Sequence, residues 1–304
     1  MIRVSVLLSS YNGEKYIAQQ IKSIIEQKGF FDLKIIIRDD GSKDNTRNII
    51  KKLQILYPQK IDLICAENVG CNAAFFELLR IAPESDYYSF SDQDDFWLED
   101  KIQSAINMLE QEDATIPLLY ASTSYLTYDD FVPFGVTRGK QREISFYNSI
   151  VQSICPGHTQ VMNKELVTLL TKKFDYNRMY VYDSWISNVA NLFGKIIYDN
   201  NPHTYYRQHQ TQQMGYGKGV IGRLKVSANH ALNGDGKQYR KQIEYFFETY
   251  KEKILEKGFD KELMRFLSPK TFFQRLTYVF NSKLYRQSRI ETLSFYFIYV
   301  MGKY

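Results

Sequence analysis

Cysteine is scarce in this sequence, and the pattern of the cysteines argues against both a disulfide framework and a zinc site. The three cysteines, Cys65, Cys71 and Cys155, show no CxxC spacing, and their number is odd. Free thiols in a reducing compartment are therefore expected, rather than disulfides or a zinc site.

Long hydrophobic runs, runs of consecutive basic residues and a glycine-rich dinucleotide motif are also missing. No stretch approaches the roughly 18 apolar residues of a membrane span, and the first apolar run lacks a signal-peptide cleavage pattern. We therefore expect a cytoplasmic chain that does not cross a membrane. The net charge of +5 comes without a basic run, so nucleic acid is not an expected partner. No GxGxxG follows the first predicted strand, which argues against a dinucleotide site.

What is present is an ordinary globular composition, with 44% hydrophobic and 24% charged residues among 304. The first half alternates β-rich and helical patterns. The predicted strands are 3–9, 33–38, 61–65 and 87–91. This alternation predicts a parallel sheet with right-handed helical crossovers.

The ends of these strands carry the polar residues most suited to ligand binding. Ser9–Tyr11, Asp39–Asp40 and Asp92–Asp95 each follow a predicted strand. Ligands of open parallel sheets bind outside the carboxyl ends of the strands. One pocket is therefore expected to collect all three segments.

The segment YYSFSDQDDFW at 87–97 places Asp92, Asp94 and Asp95 within four positions. Crowded carboxylates repel one another unless a cation is near. Mg²⁺ or Mn²⁺ prefers oxygen ligands and commonly bridges carboxylates to substrate phosphates. The segment predicts a metal–diphosphate site; the alternative is a solvated acidic turn or a set of helix caps.

The later chain is less regular. We expect a helix at 98–110, a strand near 117–122, an irregular loop at 127–148, a strand at 157–163 and a helix at 182–193. KIIYDNNPHTYYRQH suggests a strand, a turn and a further extended piece. After a glycine-rich break at 214–222, the helical, basic and aromatic tail fits an interfacial helix on an anionic membrane. Alternatively, the tail caps the catalytic domain or contacts a second copy.

Six motifs, in order along residues 2–215, resemble family-2 glycosyltransferases, in particular the bacterial rhamnosyltransferase-like branch. They are VSVLLSSYNGEKYI, RDDGSKDNT, ENVGCNAAFFELL, SDQDDFW, YDSW and YRQHQTQQMG. The resemblance implies the GT-A fold, a Rossmann-like and mainly parallel α/β sheet flanked by helices. Residues 1–215 would form the catalytic domain and 216–304 a C-terminal helical extension.

The resemblance also implies roles on the nucleotide side. Ser9, Tyr11 and Asp40 would contact the nucleobase and ribose, with Asp39 beside them. Arg207 would pair with a phosphate of the donor, or serve equally well as an ordinary surface ion-pair partner.

On the metal side, the resemblance makes Asp94 the principal ligand. Asp92 would reach the ribose or the metal, and Asp95 is a weaker candidate for either role. His209 matches the family's downstream histidine, which completes the metal or diphosphate site. The cofactor would be Mn²⁺ or Mg²⁺, and an imidazole ligand suits Mn²⁺ better.

Asp183 matches the carboxylate that acts as general base in inverting members. An acceptor hydroxyl must lose its proton as it attacks the anomeric carbon, and a carboxylate can take it. A local alternative is that Asp183 caps the helix that follows. Tyr182 and Ser184 depart from the usual HDWW motif, and Ala74 replaces a frequent asparagine, so sugar and acceptor specificity do not follow from the family.

The implied enzyme is an inverting, metal-dependent glycosyltransferase, peripheral on the inner face of the plasma membrane. The first donor is dTDP-rhamnose and the next a UDP-hexose, either galactose or glucose; the acceptor is a lipid-linked precursor of a surface polysaccharide. A homodimer is left open. A sugar nucleotidyltransferase would carry a glycine-rich phosphate loop, which SSYNGEKY is not. A non-catalytic nucleotide-sugar-binding partner is disfavoured, because the sequence keeps the candidate functional residues Asp94, Asp183 and His209.

Overall fold

The structure, a computed structural model, describes residues 1–208 and 235–304. These residues form two compact units. The first contains Met1–Gly139, Cys155–Phe174 and the strand after Gly194. The second contains Lys140–Ile154, Asp175–Phe193 and the described residues from 235 onward. The predicted domain boundary at 215/216 and the glycine-rich break at 214–222 lie outside the described residues, so the boundary stays a prediction.

The described strands of the first unit belong to one sheet. They are β1 Ile2–Ser10, β2 Phe31–Asp39, β3 Ile61–Cys65, β4 Tyr87–Ser91, β5 Phe96–Trp97, β6 Leu118–Thr127, β7 Gly135–Val136, β8 Val161–Asn163 and β9 Lys195–Arg207. Their order is β3-β2-β1-β4-β8-β6-β9-β5, with β7 paired to β6.

Helices flank this sheet in the first unit and make up most of the second. The first unit contains α1 Ile17–Ile25, α2 Thr46–Leu56, α3 Cys71–Ile81, α4 Lys101–Leu109 and α6 Lys164–Leu170. The second contains α5 Phe146–Ser149, α7 Tyr182–Phe193, α8 Asp235–Thr249, α9 Lys251–Glu256, α10 Asp260–Leu267, α11 Phe272–Phe280 and α12 Arg289–Val300.

The half of the sheet formed by β3, β2, β1 and β4 is parallel, as predicted. Val4–Leu8 of β1 is buried throughout, as expected for a strand covered by helices on both faces. In α1, Ile17, Ile21 and Ile24 are fully buried in the same core. Their helical spacing explains why this segment folds as a helix whose apolar side covers the sheet.

The other half of the sheet mixes directions. Strand β8 pairs antiparallel with both β4 and β6, while β6 and β9 are parallel. The expected turn within KIIYDNNPHTYYRQH is instead an irregularity inside the single strand β9. Its register against β6 shifts after Asp199, whose carboxylate accepts a hydrogen bond from the backbone N–H of Asn201 at 2.8 Å.

Aromatic packing organises the second unit. Trp185 of α7 is fully buried against Tyr245 and Phe246 of α8, with ring centroids 5.1 and 5.2 Å away. Such rings bury large areas and dominate core energetics.

Within residues 1–208 and 235–304, no helix combines the length and apolar character that a bilayer crossing requires.

Candidate functional site

The acidic segment predicted from the sequence forms the turn between β4 and β5. Its residues differ sharply in exposure: Asp92 and Asp94 are half-buried, whereas Asp95 is 1% exposed. Neither carboxylate oxygen of Asp95 has a hydrogen-bond partner among the described residues. A buried carboxylate without such partners is costly to ionise, and a bound cation would offset that cost.

His158 lies beside this carboxylate. It belongs to the short 3₁₀ turn Gly157–Thr159 just before β8, the strand that pairs with β4. Its Nδ1 atom is 4.0 Å from Oδ2 of Asp95. On its other side, Nε2 lies 2.9 Å from the hydroxyl of Ser124, and the ring stacks on Tyr206 at 4.6 Å. The imidazole is therefore held on both its edge and its face.

Burial controls the charges of Asp95 and His158. It raises the pKa of Asp95 well above the usual range, and the charges of Asp94 and Asp92 raise it further. It also lowers the pKa of His158 to about 3, assisted by the charge of Lys101. The imidazole is thus neutral near pH 7 and keeps a lone pair for a metal.

Lys101 is a buried lysine near these groups. Its Nζ donates to the Ser89 hydroxyl at 3.0 Å and lies 3.3 Å from the centre of the Trp97 ring. Burial lowers the pKa of Lys101 well below its usual range, whereas the charges of Asp95 and Asp92 raise it. Cation–π contact with Trp97 stabilises the charged form.

Asp92, Asp95 and His158 fit a divalent cation. One ligand atom from each residue lies within 4.8 Å of the others. Two carboxylates and a neutral imidazole offer oxygen and nitrogen donors, a set that suits Mn²⁺ better than Mg²⁺. The second contact of the imidazole, to Ser124, fixes its orientation as outer partners of metal ligands commonly do.

The predicted ligand set overlaps this group only in part. Asp92 and Asp95 belong to it, whereas Asp94 is not among its members. His209 lies outside the described residues, and its role stays a prediction. Sequence reasoning missed His158, although this residue lies within the strand predicted at 157–163 and is one of four histidines in the sequence.

Asp39 and Asp40 lie at the carboxyl end of β2, which β1 separates from β4. Asp39 is fully buried and accepts hydrogen bonds from the Ser42 backbone at 3.0 Å and from Arg47. Asp40 accepts from Arg38 at 2.6 Å and from the backbone N–H groups of Val69 and Gly70. Both carboxylates thereby fix the loops at this edge. Their predicted contact with a nucleoside stays a prediction.

Ser9 and Tyr11 lie at the same edge, at the end of β1. Ser9 is half-buried, whereas Tyr11 is 45% exposed. The side chain of Gln93 binds both the backbone N–H and the backbone carbonyl of Tyr11, at 2.9 and 3.1 Å. This contact ties the β1 end directly to the acidic turn. The structure thus brings together the three strand ends that the sequence singled out.

Arg207 is fully engaged within the protein. It is 2% exposed, and its guanidinium donates to the Asp94 carbonyl at 2.9 Å, to Asp129 at 2.9 Å and to Gln19 at 3.0 Å. Tyr16 and Phe131 also contact it, with their ring centres 4.3 and 4.6 Å away. This placement favours a role in holding the acidic turn; the predicted phosphate contact stays a prediction.

Asp183 belongs to the second unit. It lies in the first turn of α7 and is half-buried, where a carboxylate is favoured by the helix dipole. Just before it, the Gln242 side chain accepts hydrogen bonds from the backbone N–H groups of Tyr180 and Val181, at 2.7 and 2.8 Å. These bonds fix the start of the helix that carries the predicted base.

The sequence is similar to those of known glycosyltransferases. Residues 5–170 match the family model described as glycosyl transferase family 2. The dTDP-rhamnosyl transferase RfbG of Shigella flexneri is 34% identical over 253 residues, covering 78% of this chain and 82% of the relative. The UDP-Glc:alpha-D-GlcNAc-diphosphoundecaprenol beta-1,3-glucosyltransferase WfaP of Escherichia coli is 28% identical over 209 residues, covering 68% and 77%.

Solved structures share the fold, among them S. aureus TarS 1–349 in complex with UDP, which superposes with a TM-score of 0.55 at 17% identity over 90% of this chain and 78% of that one. The mannosyltransferase PcManGT from Pyrobaculum calidifontis, in complex with GDP-Man and Mn²⁺, superposes with a TM-score of 0.54 at 14% identity. The match covers 99% of this chain and 86% of that one. The predicted GT-A fold with C-terminal helices is thereby confirmed.

Proposed function

Since the chain belongs to glycosyl transferase family 2, we propose that it transfers L-rhamnose from dTDP-rhamnose to a lipid-linked precursor of a surface polysaccharide. As a family member it is a glycosyltransferase with a nucleotide-sugar donor. The 34% identity to the Shigella dTDP-rhamnosyl transferase, over most of both chains, supports rhamnose as the first donor sugar.

The observation that carries the proposal is the grouping of Asp92, Asp95 and His158 at the carboxyl edge of the sheet. These residues would hold Mn²⁺, or Mg²⁺, and the predicted ligands Asp94 and His209 would complete the site. The bound cation supplies charge neutralisation for the leaving diphosphate. The complex of PcManGT with GDP-Man and Mn²⁺ supports this assignment.

The reaction proposed for Asp183 is an inverting displacement. The acceptor hydroxyl attacks the anomeric carbon as its proton passes to the Asp183 carboxylate. The bond between that carbon and the diphosphate oxygen breaks, and the electron pair leaves with the nucleoside diphosphate. Ser9, Tyr11, Asp39 and Asp40 would hold the nucleoside, with Arg207 as the candidate for a diphosphate contact.

The acceptor and the location are parts of the same proposal. We place the reaction on the inner face of the plasma membrane, where a lipid carrier would present the growing saccharide for a wall or capsule polymer. The Escherichia coli relative, whose name includes a diphosphoundecaprenol acceptor, supports a lipid-linked acceptor.

A UDP-hexose is the second candidate donor, because the same relative uses UDP-Glc. Calorimetric titration with dTDP-rhamnose, dTDP, UDP-glucose and UDP-galactose, each with Mn²⁺, separates the two. The proposal expects tighter binding of dTDP-rhamnose than of either UDP-hexose. Preference for a UDP-hexose would replace the donor, and binding of none of them by the folded chain would overturn the proposed activity.

A further inference from the structure

Large apolar side chains project from the last two helices of the second unit. On α11, Phe273 is 76% exposed and Phe280 78%. Seven positions separate them, so they share one side of the helix. On α12, Leu293 is 67% exposed and Phe297 68%. The exposed residues Ile290 and Met301 extend the same side of α12.

The two exposed sides turn away from the same neighbour. Tyr278 of α11 and Tyr299 of α12 both pack on Phe266 of α10, with ring centroids 5.9 and 5.0 Å away. The exposed residues are spaced roughly 120–160° around each helix from these tyrosines. Both apolar sides therefore face outward from α10, and together they form what we call the α11–α12 face.

This face is held firmly in place. At the start of α11, Thr271 and Gln274 form a reciprocal capping box. At the start of α12, the Ser288 hydroxyl accepts a hydrogen bond from the backbone N–H of Glu291 at 3.1 Å. Such caps fix the first turn of a helix. The aromatic side chains are thus displayed on an ordered surface.

Charge around the face has one predominant sign. From residue 270 to the end of the sequence, six basic residues accompany the single acidic residue Glu291. The basic residues are Lys270, Arg275, Lys283, Arg286, Arg289 and Lys303. Of these, Lys270, Lys283, Arg289 and Lys303 are exposed. Aromatic side chains bordered by basic ones suit the interface of an anionic bilayer.

We infer that the α11–α12 face docks on an anionic lipid bilayer. The phenylalanines enter the boundary between headgroups and acyl chains, while the basic residues contact lipid phosphates. The excess of positive charge favours this occupant over a second copy of the chain, which would bring the same charge to the contact. The inference rests on the proposed function only in expecting an acceptor carried by a lipid.

The test is co-sedimentation of the full chain with vesicles of phosphatidylcholine alone or mixed with phosphatidylglycerol. We expect binding to the mixed vesicles that weakens with added salt. Replacing two exposed phenylalanines of this face in the double variant Phe273→Ser/Phe297→Ser should weaken partitioning about tenfold or more. Ile55→Ser on α2, also 78% exposed in the parent, is the matched control and should bind like the parent.

Three results would overturn the inference. They are failure of the folded parent to sediment with mixed vesicles, equal sedimentation of parent and double variant, and a parent dimer that the double variant converts to a monomer. The last result would assign the face to a second copy. Arg289→Gln/Lys303→Gln provides a second variant. It is expected to bind the vesicles that contain phosphatidylglycerol more weakly than the parent does. Donor titration without vesicles tests the proposed activity separately, so the two failures are distinguishable.

Discussion

The Nδ1 atom of His158 lies 4.0 Å from Oδ2 of Asp95, and both side chains are buried. The carboxylate lacks a hydrogen-bond partner among the described residues, and the imidazole is neutral because burial lowers its pKa to about 3. A neutral imidazole and a carboxylate at this distance are suited to bind the same cation. This relationship adds His158 to the candidate ligands and supports Asp95 beside the predicted Asp94.

Replacing His158 should weaken metal binding. In His158→Ala we expect the affinity for Mn²⁺ to fall about 100-fold, and in Ser124→Ala about tenfold, because ligand loss costs more than loss of the outer partner. Electron paramagnetic resonance of free Mn²⁺ measures both. His203→Gln is the control, since His203 lies outside the metal group. Unchanged affinity in folded His158→Ala would remove this residue from the site.

Arg207 offers a way to separate positioning from phosphate contact. Because the guanidinium of Arg207 donates hydrogen bonds to three protein acceptors, neither Arg207→Lys nor Arg207→Gln can reproduce this arrangement of hydrogen bonds. A positioning role predicts weaker binding of Mn²⁺ alone, about tenfold, through the displaced acidic turn. Calorimetry with the metal and then with dTDP distinguishes the cases. Normal metal affinity with weakened dTDP binding would instead support direct contact with phosphate.

Asp183→Asn should slow transfer strongly and spare donor binding. General-base catalysis commonly contributes about 10²–10⁴-fold, so kcat should fall by that range while the Kd for the donor stays within a factor of about two. Asp175→Asn is the matched control, as an exposed carboxylate of the same unit. A transfer rate in Asp183→Asn equal to that of the control would exclude Asp183 as the base.

His203 predicts a specific dependence of stability on pH. Burial lowers its pKa, but hydrogen bonds with Asp199 and Asp100 raise it more, so the net pKa lies above the ordinary 6.5. The charged imidazole therefore stabilises the fold fully below pH 6.5, and this contribution is lost as the pH rises through the folded pKa. Urea titrations from pH 5.5 to 9 should show a steeper decline for the parent than for His203→Gln. Parallel curves would contradict this account.

The sequence was sufficient for the parallel half of the fold because that half obeys local rules. Short apolar runs such as Val4–Leu8 favour strands covered on both faces, and the isoleucines of α1 repeat at helical spacing. Parallel topology then brings Tyr11, Asp40 and the acidic turn to one edge without further information. The helical sequence pattern of the C-terminal region likewise predicted its helices.

The metal group was only partly predictable because tertiary contacts select its members. Nothing in SDQDDFW shows that Asp95 turns inward while Asp94 is left half-buried with its carbonyl bound to Arg207. His158 reaches the site because β8 inserts antiparallel beside β4, and a three-residue strand gives little periodic signal. Likewise, only pairing with β6 turns the expected break near Asn201 into an irregularity within one strand.

The most direct test of the central claim is calorimetric titration of dTDP-rhamnose into the parent and Asp95→Asn, each with and without Mn²⁺. The amide keeps the shape of the side chain but removes its charge. We predict that Mn²⁺ strengthens donor binding by the parent at least about tenfold, and that this gain disappears in Asp95→Asn. An equal gain in both proteins, or the same donor affinity with and without metal, would contradict a donor site built on Asp92, Asp95 and His158.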